Sequence, residues 1–391
     1  MKNNRYLQPL ILKDLVKKMV FIGGPRQVGK TTMAKTISED FQTYQYLNWD
    51  NTLHHTQILK EQFNPDAKLL IFDELHKYPR WKRYLKGLYD VKGDVYRILL
   101  TGSARLDLYR KGGDAMTGRY FYYRLHPFSV TELLHLTSTI TPPAALKFAS
   151  TATTKKIADQ LFQYSGFPEP FFEKNIDTLA RWQNQRMDTL IKQDIRDVEL
   201  IRDISALQIL SSLLPEKVGS RLSLNSLRED LEVAHRSIAL WMNIFERFYY
   251  LFRIYPYSKH ITRSLKKEAK MYLWDWTQVT DPAARLENMV ASHLLKFVDY
   301  LYDVKGIKAS LHYLRDLPGH EVDFLVAIDQ QPWFAVEVKW SDQTPSKHLL
   351  YFSQRIRIPH LYQVVWEAPD MDMLWKGVRL MSVEKFLTGL V

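Results

Sequence analysis

The chain has 391 residues, 46% hydrophobic and 25% charged, too long for one compact core and expected to divide into about two to four domains. With no cysteine, disulfides, thiolate catalysis and cysteine-ligated zinc are excluded, and the twelve histidines show no helical H-x-x-x-H or H-E-x-x-H pairing; His54-His55 reads as a solvated loop pair. The net charge of +11 is uneven: Tyr78–Arg124 holds 11 Lys+Arg against 4 Asp+Glu, and Arg247–Lys270 holds 7 against 1. Basic charge interleaved with aromatics is the footprint of a polyanion partner, most often nucleic acid, with dispersed solubilising charge as the plainer reading. No uncharged apolar run reaches the roughly 18 residues of a membrane span, and Met1–Tyr6 lacks an apolar signal-peptide core, so a cytoplasmic protein without membrane contact is expected.

The apolar run Met19-Val20-Phe21-Ile22 reads as a buried strand, and it leads into Gly24-Pro25-Arg26-Gln27-Val28-Gly29-Lys30-Thr31, the pattern G-x-x-x-x-G-K-[ST], followed by Thr32. Glycines let backbone N–H groups curl round a β-phosphate, Lys30 neutralises β and γ oxygens, and the Thr31 hydroxyl ligates Mg²⁺ at a helix N-terminus whose dipole favours anions. ATP and Mg²⁺ are the cofactors this predicts, with Gly24 through Thr32 around the phosphates. Lys68-Leu69-Leu70-Ile71-Phe72 then runs into Asp73-Glu74, the form of a parallel strand that delivers acids to a sheet's carboxyl edge. Asp73 is expected to hold the metal through water and Glu74 to act as general base.

A third buried strand, Tyr96–Leu100, ends in Thr101-Gly102-Ser103, and Thr101 or Ser103 is the candidate γ-phosphate sensor. The order P-loop strand, Tyr44–Leu47, acid-tipped strand, polar-tipped strand suggests a sheet with the sensor strand between the P-loop and acidic strands, the arrangement of ring-forming ATPases. Such enzymes complete each site with a neighbour's arginine, and Arg105 and Arg119 are the candidates; an ordinary surface ion pair is the competing reading for either.

After His126-Pro127-Phe128 the text turns helical, crosses a Ser/Thr/Pro/Ala-rich linker at Thr137–Thr154, and continues as a small helical lid broken at Gly166–Pro170. From Ile204 the pattern is helix (Ala206–Leu214), turn, helix (Ser223–Leu231), short turn, helix (His235–Phe248), then strand-like Tyr249–Tyr257 and Ile261–Arg263. That is the order of a winged helix-turn-helix, with His235, Arg236 and Ser237 at the recognition-helix N-terminus and Arg253, Lys259, Arg263, Lys266 and Lys267 on wing and phosphates. A plain protein–protein spacer is the alternative.

Gly319–Val326 and Trp333–Lys339 alternate charged and apolar residues with period 2, so each reads as a strand with one polar face. A three-residue loop centred on Gln330 sets Asp323 opposite Glu337 and Glu321 opposite Lys339. Two carboxylates beside a lysine suit Mg²⁺-assisted phosphodiester hydrolysis, with Asp323 and Glu337 as metal ligands, Lys339 as the neighbouring acid or base, and Glu287 as a third carboxylate. The competing reading is a cross-strand ion-pair ladder, at roughly a few tenths of a kcal/mol per pair.

The segments Gly23–Thr32, Phe72–Trp81, Leu100–Arg105, Gly118-Arg119-Tyr120, Pro127-Phe128-Ser129, Gly166-Phe167-Pro168-Glu169, Lys270-Met271-Tyr272, Glu321–Phe324 and Val336–Lys339 stand in this order along nearly the whole chain. With them the sequence resembles a family of prokaryotic AAA-type ATPases that carry a C-terminal domain of unknown function related to restriction-endonuclease folds. The resemblance implies an ATPase module, a winged helix and a nuclease-like tail.

The expected fold class is therefore α/β: an AAA+ P-loop ATPase core at residues 1–136, a helical lid at 137–200, a winged helix at 201–280 and a PD-(D/E)xK nuclease-like domain at 281–391. The leading functional expectation is an ATP-hydrolysing homo-oligomer, a hexameric ring favoured, that remodels or translocates on DNA. The alternatives are an ATP-regulated, metal-dependent nuclease and a nucleotide-gated switch that binds a protein partner.

Overall fold

The computed structural model describes residues 5–103, 116–136, 140–195, 203–258 and 268–391. They cluster into two compact units, Met1–His126 with Arg247–Tyr249, and Pro127–Glu246 with Tyr250–Val391. No helix among the described residues is long and apolar enough to cross a membrane.

The first unit is built on five parallel strands: β1 (Met19–Gly23), β2 (Tyr44–Asn48), β3 (Leu69–Asp73), β4 (Arg97–Gly102) and β5 (Tyr120–Arg124), in the order β2-β3-β4-β1-β5. β1 and β3 are buried at every residue, as continuous apolar runs in a parallel sheet covered on both faces should be. The polar-tipped strand does lie between the P-loop and acidic strands, and the pairings Gly23↔Gly102 and Asp73↔Thr101 bring the three tips level at one edge.

Among the described residues four helices accompany the sheet: α1 (Gln8–Leu15), α2 (Lys30–Ser38), α3 (Thr52–Leu59) and α4 (Trp81–Lys92). α4 shows why such a segment is helical: Trp81, Leu85 and Leu88 recur at i, i+4 and i+7 and are its buried residues. They join a core with Phe21, Phe72 and Leu100, where the Phe21 ring meets Trp81 at 5.8 Å and stacks on Tyr120 at 4.4 Å. Each such side chain contributes about 1.5–3 kcal/mol by burial.

The second unit starts with helices α5 (Val130–Leu133), α6 (Thr154–Tyr164), α7 (Pro168–Glu173) and α8 (Ile176–Thr189), the last continuing as a π-helical turn at Leu190–Ile195. Next come α9 (Ile204–Leu213), α10 (Leu224–Asp230) and α11 (His235–Arg247), close to the three helices expected there. β6 (Leu251–Pro256) and β7 (Lys270–Leu273) pair antiparallel, and Ile261–Arg263 lies outside the described residues.

Helix α12 (Pro282–Lys305) then leads into β8 (Ala309–Arg315), β9 (Glu321–Ile328), β10 (Gln331–Lys339), α13 (Lys347–Ser353), β11 (His360–Val365), β12 (Asp372–Trp375), β13 (Val378–Ser382) and α14 (Val383–Leu387). The strands form one sheet in the order β12-β13-β11-β10-β9-β8-β6-β7. β6 and β7 thus belong to the same sheet as the C-terminal strands, joined through the parallel pairs Tyr255↔His312 and Pro256↔Tyr313.

β9 and β10 reach the expected pairing by a different route. Asp329 (φ +45°) and Gln330 (φ +67°) make a two-residue turn with both central residues left-handed, which starts the ladder at Ile328↔Gln331. A bulge between Pro332 and Phe334 then shifts it by one, giving Val326↔Phe334 and Phe324↔Val336, so the next step in that register is Asp323 with Glu337. α12 is capped by Asp281, whose side chain accepts from Ala284 N, and ends at left-handed Gly306. Its Asn288 pairs with both backbone groups of Leu273, accepting at 2.9 Å and donating at 2.7 Å, which satisfies the outer edge of β7.

Candidate functional site

At the carboxyl edge of β1 the chain bends into a loop that needs glycine twice. Gly24 has φ +154°, and a Cβ there would come within 2.4 Å of the Leu125 carbonyl oxygen; Gly29 caps α2 at φ +97° without a side-chain partner for the helix N–H groups. Those N–H groups remain for an anion. Lys30, 6% exposed, donates to the carbonyls of Gly24 (3.0 Å) and Pro25 (2.8 Å), so its ammonium is held over the loop. Arg26 and Gln27 sit at the tip, Gln27 with φ +63°, while Val28 is buried and Thr32 exposed.

Asp73, 4% exposed at the end of β3, gathers three hydroxyl donors. Thr31 Oγ1 (2.9 Å) and the Tyr46 hydroxyl (2.6 Å) donate to Oδ2, and Thr101 Oγ1 donates to Oδ1 at 2.5 Å. Burial and Asp73 push the Tyr46 hydroxyl pKa upward, keeping it a donor. The Thr31 hydroxyl against the Asp73 carboxylate is an oxygen-only pair, the donor chemistry of a hard cation, and these two residues fit Mg²⁺.

Glu74 follows in a left-handed backbone conformation, φ +57° and ψ +18°, which costs a non-glycine residue of order 1–3 kcal/mol and persists where the surroundings impose it. Here they do: its N–H donates to the Thr101 carbonyl (3.0 Å), and Oε2 accepts from Ser103 Oγ (3.0 Å) with His76 Nε2 at 3.5 Å. Burial raises its carboxyl pKa against the pull of Lys30, a shift toward the basicity a general base needs.

The second constellation lies on the C-terminal sheet. Lys270 of β7, 2% exposed, places its ammonium 2.8 Å from Glu321, 3.3 Å from Glu287 and 3.7 Å from Asp323. Tyr272 donates to Glu287 (2.7 Å), Arg315 reaches Glu321 (2.6 Å), Lys339 pairs with Glu337 (2.8 Å), and Val338 N donates to Asp323 Oδ2 (2.9 Å). Burial, then the Asp323 charge, pushes Glu337 up to about 8 and Glu287 up to about 7. Burial works against the Lys270 ammonium, but Glu287, Asp323 and Glu321 together raise its pKa. Among the described residues no group of three or more His, Asp or Glu side chains is arranged to hold a metal ion.

Residues 16–134 match the AAA domain family, and 155–277 and 284–384 match two domains of unknown function, DUF8612 and DUF4143. The N-terminal region is thus similar to AAA domains and carries the P-loop pattern. Similar proteins include an uncharacterized protein of Mycobacterium tuberculosis, 20% identical over 66% of this chain and 54% of its own length, and one of Haemophilus influenzae, 21% identical over 74% and 78%. The chain spans about half the length of the first of these relatives. Among solved structures, a Walker-type ATPase of Pyrococcus abyssi aligns at 13% identity and TM-score 0.38, covering 71% of this chain and 93% of that one. The Thermotoga maritima RuvB Holliday junction branch migration motor aligns at 16% identity and TM-score 0.33, covering 63% and 87%.

Within the AAA domain the expected residues Lys30, Thr31, Asp73, Glu74, Thr101 and Ser103 meet at one sheet edge, Thr101 on Asp73 and Ser103 on Glu74. Arg119 is committed to a bidentate surface pair with Asp90 (2.7 and 3.1 Å), the plainer of its two readings, and Arg105 lies outside the described residues. His235 and Arg236 are exposed at the start of α11. Arg253, expected on phosphates, instead donates to Glu246 (2.6 Å) and Asn243 (2.7 Å), because the strand that carries it returns alongside the last turns of α11. Lys259, Arg263, Lys266 and Lys267 lie outside the described residues.

Three contributors escape a reading of the sequence. Tyr46 is visible there only as one aromatic in a strand; Arg5 donates to the Val28 carbonyl (2.8 Å) and to that of His126, bracing the loop from 23 residues upstream. Lys270 reads as one more charge in a basic segment. A lone buried-strand tyrosine or lysine gives no local signal of its partner.

Proposed function

We propose that the chain is an ATP-hydrolysing AAA+ machine that assembles into a ring, hexameric by preference, and remodels or translocates on DNA. The observation that carries the hydrolytic part is the register of β1, β4 and β3, with Gly23 opposite Gly102 and Asp73 opposite Thr101, which gathers Lys30, Thr31, Asp73 and Glu74 at one edge. With nucleotide bound, Lys30 would exchange the Gly24 and Pro25 carbonyls for β- and γ-phosphate oxygens, and Thr31 and Asp73 would hold Mg²⁺. The ion, when bound, neutralises charge on the phosphoryl oxygens. Glu74 takes the proton of the attacking water while Ser103 donates to its Oε2, and Thr101 keeps Asp73 oriented. Arg105 or Arg119 reaches the neighbouring subunit's site; for Arg119 this means release from Asp90.

The DNA part is supported by the net charge of +11 and by exposed Arg80, Arg83, His235 and Arg236. The test is ATP turnover by wild type and Glu74→Gln without nucleic acid and with single strands, duplex and branched junctions. Turnover that rises with one DNA form supports the motor. Turnover equal in every tube and unresponsive to salt removes DNA from the reading and leaves a nucleotide-gated protein switch. A metal-dependent nuclease at Asp323, Glu337 and Lys339 is the second reading, supported by the β9–β10 register, and it meets an obstacle in Lys270.

A further inference from the structure

We infer that Lys270 is a built-in cation: its ammonium supplies to Glu287, Glu321 and Asp323 the positive charge a divalent ion would otherwise bring, so the native chain takes up no Mg²⁺ or Mn²⁺ there.

The cluster is neutralised from within. Four carboxylates (Glu287, Glu321, Asp323, Glu337) face three cations, with Lys270 on the first three, Arg315 on Glu321 and Lys339 on Glu337. An incoming dication would have to share these oxygens with an ammonium 2.8–3.7 Å from them, and the repulsion between the two cations offsets the attraction of the carboxylates. Asp323, expected as a metal ligand, spends Oδ2 on the Val338 N–H and turns Oδ1 toward Lys270. Glu337, the other expected ligand, is 4% exposed, and its Oε2 has no hydrogen-bond partner. Next to Asp323 in the β9–β10 register, that oxygen joins those of Glu287, Glu321 and Asp323 as a donor for an ion once the ammonium is gone.

The lysine is not free to swing away. β7 pairs with β6 at Ile254↔Lys270 and bridges to Arg221, the Leu273 backbone is held on both groups by Asn288, and Leu222 N donates to the Ala269 carbonyl at 2.9 Å. The Lys270 side chain itself is 2% exposed, so the ammonium is held among the carboxylates by the strand that carries it. The charge is thus part of the fold, as a structural metal is in other folds, and the divalent chemistry expected at Asp323 and Glu337 requires its removal.

The test is Mn²⁺ binding by electron paramagnetic resonance on the full, nucleotide-free chain, with Asp73→Asn present throughout so that bound ion reports the C-terminal cluster. The Lys270 chain should bind no stoichiometric Mn²⁺ at millimolar metal, Lys270→Met should bind one equivalent, and adding Glu337→Gln should abolish it. Stoichiometric binding by the Lys270 chain that Glu337→Gln removes overturns the inference, as does a folded Lys270→Met chain that binds none. If Lys270→Met does not fold alone, it and Lys270→Gln are refolded with and without Mn²⁺. Folding that returns with the ion, read by circular dichroism and a Tm that climbs with Mn²⁺, supports the exchange of one cation for another, and chains unfolded under every metal condition overturn it.

Discussion

The ATPase edge and the C-terminal cluster use nearly the same parts, adjacent carboxylates at a strand with a lysine close by, and leave them in opposite states. At the first, Asp73 is surrounded by the hydroxyls of Thr31, Tyr46 and Thr101, neutral donors that leave its charge for a cation, while Lys30 is held on loop carbonyls. At the second, Lys270, Arg315 and Lys339 sit directly on the carboxylates. Residue types alone therefore do not distinguish a site prepared for an ion from one already satisfied; what touches each oxygen does.

Substituting the two lysines should separate the sites most sharply. Lys30→Ala and Glu74→Gln should each lower ATP turnover by about 10²–10⁴-fold, with Glu74→Gln retaining nucleotide binding and neither changing the melting temperature appreciably. Turnover within a factor of a few of wild type in Glu74→Gln would remove Glu74 as the base. Lys270→Met should do the reverse in the absence of divalent ions, costing about 3–5 kcal/mol in urea unfolding because it strands buried carboxylates. An unchanged midpoint would mean that the cluster does not depend on its internal cation.

The two sites should also answer pH in opposite directions. Glu337 holds its proton more tightly folded (about 8) than at its ordinary value of 4.5, so its contribution to stability is fully present below about pH 4.5 and is lost as pH rises toward 8. The slope is on the order of 1 kcal/mol per pH unit within that window, and Glu337→Gln should flatten it in melts run across pH. Glu74 must be ionised to act, and burial raises its pKa, so turnover should rise with pH along an acidic limb set above the ordinary carboxylate range. A turnover profile flat through that region would separate catalysis from Glu74 ionisation.

The smallest effect is expected at Tyr46→Phe. Losing one donor to Asp73 should cost about 1 kcal/mol, roughly five-fold, seen in the Mg²⁺ concentration needed for half-maximal turnover. A shift in the maximal rate alone would place Tyr46 outside metal positioning.

Much of the AAA domain was readable along the chain. Gly24–Thr31 and Leu70–Glu74 are contiguous, and their chemistry needs only the local rule that an apolar parallel strand ends where its polar tip begins; even the strand order followed from the sequence of tips. The period-2 alternation of Glu321–Ile328 and Gln331–Lys339 likewise placed Asp323, Glu337 and Lys339 on one face, although the register arose from a two-residue turn plus a bulge at Trp333, a compensation no alternation pattern records. The tertiary structure decided the rest. Tyr46 meets Asp73 across 27 residues, Arg253 turns back onto Glu246, and Lys270 reaches Glu321 from β7, beyond β8 and β6 in the sheet order. The local sequence specifies which face a side chain takes and how its strand ends; which charge waits on the facing strand depends on sheet order and long-range closure, and that pairing determines whether a carboxylate is offered to an ion or already neutralised.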